Sequence, residues 1–176
     1  MTYVLSWEVM VVNMKEALMA AMEAYFGGDA RRIAHAHKVT GYAERLLEPE
    51  QGDPTVVLGA AVLHDIGIHE AERKYGNPNG KYQEIEGPPI ARDILSRLGF
   101  STADIEEVCE IIAHHHSPGK VNTSNFKILY DADWLVNLRD EYDIPDKKKL
   151  GAIIERVFLT RTGKAVARAE YLSGSA

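Results

Sequence analysis

A chain of 176 residues with 45% hydrophobic and 26% charged side chains has the size and balance of one globular unit able to bury a core. Its formal charge of -6, from 20 Lys and Arg against 26 Asp and Glu, removes the general attraction to phosphate backbones on which duplex binding rests, so no nucleic-acid duplex is expected as partner. A lone cysteine, Cys109, excludes an internal disulfide framework and a thiolate zinc cage and fits a reducing compartment.

The apolar stretch Val9 to Val12 follows Glu8, with no basic segment before it and no small-residue cleavage site. No signal peptide is therefore expected. No run approaches the roughly 18 apolar residues of a spanning helix, so no membrane is expected and the cytoplasm is the default location. Asn13 with Glu16 reads as a capping box opening a helix from Met14 to Phe26, which Gly27-Gly28 stops. Asp29 caps a helix from Ala30 to about Leu47. Asp53-Pro54 opens another from Thr55 to His64, ended by Gly67. The polar stretch from His69 to Glu86, with Gly76, Asn77-Pro78 and Asn79-Gly80, reads as a long loop of the kind that forms lids.

Pro88-Pro89 is expected to start a helix to Leu98, and Ser101 to cap one from Thr102 to about His116. Further helices are expected from Ser124 to Leu138, from Pro145 to Leu159, and after Gly163 to Leu172. No alternating strand pattern appears. The class is all-α, a bundle of about seven or eight helices forming one domain over residues 1–176.

Polar residues on apolar stripes carry the chemical interest. His35 lies in line with Val39, Tyr42, Ala43 and Leu46, so it points inward, whereas His37 faces solvent. His64 and Asp65 continue the two inward edges of the helix VVLGAAVL just where Gly67 lets the backbone leave helical geometry. A buried carboxylate must be neutralised, paired or bound to a cation, and carboxylate with neutral imidazole suits a divalent transition metal. The plainer alternative is a helix end with histidine favourable to its dipole. The stripe Ile105, Val108, Cys109 and Ile112 projects onto His116, with His115 on its flank and His114 outward. A solvated cluster at a helix end is again the alternative. Asp133 and Asp131 sit mid-helix among apolar residues, where capping cannot explain them and a metal would keep a carboxylate ionised.

The order of these residues, a histidine in RIAHAHKV, then HDIG, IIAHHH and DADWLVN, resembles the HD-domain superfamily of metal-dependent phosphohydrolases over about Arg31 to Arg139. The resemblance implies His35, His64, Asp65 and Asp133 as metal ligands, Asp131 in support, and His115 with His116 as ligands of a second ion bridged by Asp65. His64 and Asp65 are then the catalytic pair. The implied cofactor is one or two ions of iron, manganese, nickel, cobalt or zinc. Where many relatives have another histidine, four residues before Gly87, this chain has Gln83, with Glu84 and Glu86 nearby as carboxylate substitutes. Ile68 follows HDIG and the GYP motif is absent, which disfavours a cyclic-di-GMP phosphodiesterase.

The implied activity is hydrolysis of a nucleotide or other small phosphoester by metal-activated water. A di-iron oxygenase and a non-catalytic nucleotide or metal sensor are the alternatives. An acidic protein must supply phosphate counter-charge locally, and the candidates in the long stretch are His69, Arg73, Lys74 and Lys81. The apolar residues Leu150, Ile153, Ile154, Val157 and Phe158 pack against the bundle or against a second subunit of a homo-oligomer.

Overall fold

The computed structural model describes residues 7–173. The N-terminal residues 1–6, on which part of the leader reading rests, lie outside them. The described residues form nine helices and no strand: α1 (Trp7–Phe26), α2 (Ala30–Leu47), α3 (Pro54–Leu63), α4 (Ile68–Tyr75), α5 (Gly80–Arg97), α6 (Thr102–Ile112), α7 (Ser124–Asp140), α8 (Lys147–Val157) and α9 (Arg161–Tyr171). None of these helices is long and apolar enough to cross a membrane.

The caps explain most boundaries. Asp53 accepts from the backbone N–H groups of Thr55 and Val56, with Pro54 at the first helical position of α3. Asp29, Ser101, Thr123 and Thr160 cap α2, α6, α7 and α9 in the same way. α3 is the central helix: every residue from Val56 to Leu63 is buried, and it packs against α1, α2, α6 and α7. A helix apolar all round belongs in the middle of a bundle. α2 and α7 lie side by side over it.

Four boundaries differ from the sequence reading. α1 runs straight through the expected cap at Asn13, which lies inside the helix Trp7–Phe26. The stretch from His69 to Glu86 is largely helical: α4 buries Ile68 and Ala71, and only the turn around Gly76 to Asn79 is irregular. Asn79 caps α5 by accepting from the Lys81 N–H, so Pro88 and Pro89 fall inside that helix instead of starting it. Gly87 precedes them and carries no Cβ to clash with the first proline ring. α6 stops at Ile112, and His114 to His116 form a turn.

Two glycines set how closely α5 approaches the end of α3. A Cβ on Gly67 would lie 2.5 Å from the Gly87 backbone nitrogen and 2.7 Å from the Gln83 carbonyl oxygen, and one on Gly87 would lie 2.7 Å from Ile112. Backbone thus rests on backbone there, and Gln83 is carried up to the HDIG turn.

The C-terminal helices are fastened to α7 by a buried carboxylate. Asp131 is fully buried and accepts from the Leu159 N–H, the Thr160 N–H and the Thr160 hydroxyl at 2.8, 2.8 and 2.6 Å. Any side chain at Gly163 would collide with it. Tyr171 donates to the Leu135 carbonyl, and Glu170 receives Tyr42 and Arg45 from α2.

Candidate metal centre

The chain leaves α3 in a turn directly after Leu63, and this turn, with Gly67 at its close, brings His64 and Asp65 to one point despite their adjacency. His64 is buried, and its Nδ1 donates to the Ala61 carbonyl at 3.0 Å, which leaves the Nε2 lone pair facing inward. His35 reaches the same point from the first turns of α2, its Nε2 3.2 Å from His64 Nε2. Asp133 arrives from the middle of α7, with Oδ1 3.1 Å from His35 Nε2 and 3.6 Å from His64 Nε2. Its other oxygen accepts from Asn137 at 2.9 Å, which fixes which oxygen faces the histidines. Asp65 Oδ2 lies 3.7 and 3.6 Å from the same two nitrogens.

These separations, 3.1 to 3.7 Å, bracket the edge of a tetrahedral coordination shell, since donors about 2.1 Å from an ion at tetrahedral angles sit about 3.4 Å apart. His35, His64 and Asp65 each offer a ligand atom with all three within 4.8 Å of one another, and Asp65, His115 and His116 form a second such group. His115 supplies a further sign. Its Nδ1 donates to the Ile112 carbonyl at 2.7 Å, while its buried Nε2 has no hydrogen-bond partner and points toward Asp65 Oδ1 at 3.7 Å. A buried imidazole lone pair left without a donor is what a ligand looks like when a cation completes it. The donor set therefore fits a divalent metal.

Charge coupling inside the cluster is strong. Burial opposes the charged form of His64, but the Asp65 charge and the Asp133 hydrogen bond outweigh it and raise its pKa to about 9. Burial likewise works against both carboxylates. His64 and His115 nevertheless hold Asp65, and His35 with His64 hold Asp133, well below the ordinary carboxylate range. A proton on His64 thus does, in part, what a metal cation does in full.

The ending of α6 at Ile112 changes which histidine of the triplet turns inward. His115, not His116, is the buried one, and His114 points out to Glu110 at 3.5 Å. His116 packs on the His115 ring and over Gly80, its Nε2 3.5 Å from Gln83 Oε1.

Several sequence candidates are used elsewhere. Asp131 holds the C-terminal helices and touches none of the histidines. Glu84 accepts from the His116 N–H and the Ser117 hydroxyl, and Glu86 accepts from Lys74 and Tyr75, so neither carboxylate joins the cluster. His69 is tied to Asp29 at 2.9 Å, and Arg73 grips Glu70 on the same helix. Lys81 is exposed and, like His69 and Arg73, lies outside the cleft over the cluster.

That cleft, about 220 Å³, has His35, Asp65 and Asp133 in its wall. The cations lining it are Arg31, Arg32 and Lys38, which the sequence reading passed over. They flank His35 at spacings of four, three and three residues on the same helix, and that periodicity was the available signal.

The HD domain model matches residues 32–138 of this chain. A bifunctional uridylyltransferase/uridylyl-removing enzyme from Streptomyces coelicolor is 32% identical over 87 residues, which is 49% of this chain and 9% of that protein. The chain thus spans about a tenth of that relative's length. Among solved structures, a predicted HD superfamily hydrolase from an uncultured Thermotogales bacterium aligns with TM-score 0.64 and 25% identity, over 92% of this chain and 85% of that one.

Proposed function

The chain belongs to the HD domain family, and from that premise we propose that it is a metal-dependent phosphohydrolase of one domain, acting on a small phosphorylated molecule. One observation carries the reading: His35, Asp65 and Asp133 line a cleft, buried His64 lies 3.2 Å from His35, and Arg31 and Arg32 line the same cleft. In this acidic protein Arg31 and Arg32 place positive charge one turn from His35, beside the space an anion would enter.

His35, His64, Asp65 and Asp133 would hold one divalent ion, and Asp65, His115 and His116 would hold a second. Iron, manganese, nickel, cobalt and zinc all accept such a nitrogen and oxygen set. When bound, the ion lowers the pKa of a coordinated water from about 15.7 toward about 7 and polarises the phosphoryl oxygen. The chain's own residues do the rest. The Ala61 and Ile112 carbonyls fix the tautomers of His64 and His115, and Asn137 fixes the rotation of Asp133. Arg31 and Arg32 draw the phosphate in and offset charge on its oxygens as the ester bond breaks. Asp65, kept ionised at neutral pH by His64 and His115, would serve as a ligand rather than as a base.

Phosphate release from a broad phosphoester panel, by protein loaded in turn with each of the five metals, tests the reading. Turnover with at least one metal, abolished by chelator and restored by the ion, is the expected result. The Asp65, His115 and His116 group gives substance to a second reading, oxygen activation at two irons. Iron-dependent oxygen consumption with no phosphate release from any ester would select it instead.

A further inference from the structure

α5 brings a neutral side chain up to the second group of ligands. Gln83, in the first turn of that helix, is buried, and its amide is held in one orientation: Nε2 donates to the Pro78 carbonyl at 2.7 Å, which leaves Oε1 as the free acceptor. Oε1 lies 3.5 Å from His116 Nε2, and Asp65, Gln83 and His116 line the same cleft. The backbone contact of Gly67 with Gln83 and Gly87 sets this approach. Gly80, where any side chain would meet the His116 ring, seats that imidazole on the start of the same helix.

At 3.5 Å, Oε1 and Nε2 are too far apart for a good hydrogen bond between them. Asp65, His115 and His116 each offer a ligand atom within 4.8 Å of the others, and His115 Nε2 is buried without a partner. With the His116 Nε2 lone pair given to an ion in that group, Nε2 and Oε1 are two acceptors side by side. Such a pair repels when no cation is present, and it is the arrangement that two ligands of one ion adopt. A carbonyl oxygen of this kind suits manganese among the transition metals. The neighbouring carboxylates are committed elsewhere, Glu84 to the His116 N–H and the Ser117 hydroxyl, Glu86 to Lys74 and Tyr75.

We propose that Gln83, through Oε1, is a ligand of the second ion together with Asp65, His115 and His116, and that this ion is the exchangeable one of the two. The proposal rests on the two-ion part of the reading above. Exchange follows from charge. His35, His64, Asp65 and Asp133 bring two carboxylates to the first ion, whereas the second set has only Asp65, which both ions share, and a neutral amide. Affinity for a divalent ion falls as charged ligands are lost. The second set is also the more open to water, since His116 is exposed and His64 is buried. Occupancy of the second position therefore follows the free metal concentration while the first stays filled.

The test titrates the chelator-stripped full chain with Mn²⁺ alone and reads free Mn²⁺ by electron paramagnetic resonance, for wild type, Gln83→Leu and Gln83→Glu. Wild type is expected to take two ions per chain, the second at least about tenfold more weakly than the first. Gln83→Leu should weaken the second step by at least about tenfold and leave the first unchanged, which also reports that the variant is folded. Gln83→Glu separates ligation from mere support. It loses the donor to the Pro78 carbonyl just as Gln83→Leu does, but it keeps an oxygen at the same reach, so it should hold the second ion at least as tightly as wild type. A second step that Gln83→Leu leaves untouched, or that both variants weaken equally, overturns the ligand role while the two-ion reading stands. Two ions of equal affinity in wild type overturn the exchange. A wild-type chain that takes one ion only overturns the proposal and the second position with it, while hydrolysis at a single metal stands; no bound ion overturns the phosphohydrolase reading as well.

Discussion

Two aspartates one turn-half apart on α7 have opposite fates. Asp131 is fully buried and satisfied by three donors from Leu159 and Thr160. Asp133, nearly as buried, faces the imidazoles of His35 and His64. Burial pushes Asp131 up to about 6, since its neutral donors do not offset the desolvation, whereas the histidines drive Asp133 far down. A carboxylate among apolar residues announces that a partner exists. It does not say whether that partner is backbone, hydroxyl or cation.

The comparison is sharpest when each side is broken separately. Asp133→Asn should cost about 10³-fold or more in phosphate release, roughly 4 kcal/mol of transition-state stabilisation, and lower the bound metal. Kinetics with elemental analysis reads it, and an Asp133→Asn protein that keeps full activity would remove Asp133 from the site. Asp131→Ala should do the reverse. Leaving three donors unpaired costs about 3 kcal/mol in urea unfolding, with metal stoichiometry of the folded protein retained.

A pH series separates the two regions without mutation. The folded His64 pKa of about 9 lies above the ordinary 6.5, so its proton stabilises the chelated protein fully below pH 6.5. That stability is lost as the pH rises through about 9, by up to about 3 kcal/mol. Metal-saturated protein should show no such decline, because the ion replaces the proton. Equal slopes with and without metal would contradict the coupling. Gly67→Ala should cost about 2 kcal/mol, since only backbone stands where the methyl must go, and differential scanning calorimetry would show it. Smallest of all, Arg73→Ala and Lys81→Ala should change kcat/KM less than about twofold, as both lie outside the cleft, whereas Arg31→Ala should raise KM about tenfold.

What the sequence made legible followed local rules. The inward stripes and the turn after HDIG were enough to gather His35, His64, Asp65 and Asp133 at one place, because each lies on or next to a helix whose apolar face points it inward. The choice between His115 and His116 was not legible: α6 ends four residues early, and a turn aims side chains by its own geometry rather than by helical projection. The role of Asp131 depends on Thr160, nearly thirty residues on, whose hydroxyl both donates to Asp131 and caps α9. α4 was hidden by the Gly, Asn and Pro residues just after it, which mark a real turn but a short one. The loop cations drew attention because loops often bind, while the cations on the face of His35 looked like ordinary helix surface.

The most direct measurement is the metal content of the wild-type protein, purified without chelator, exchanged against each of the five transition metals, and compared with His35→Ala, His64→Ala and Asp133→Ala made in the same way. The account predicts at least one tightly held ion per wild-type chain and a loss of it in each folded variant. A wild-type chain that retains no metal after every exchange would contradict it.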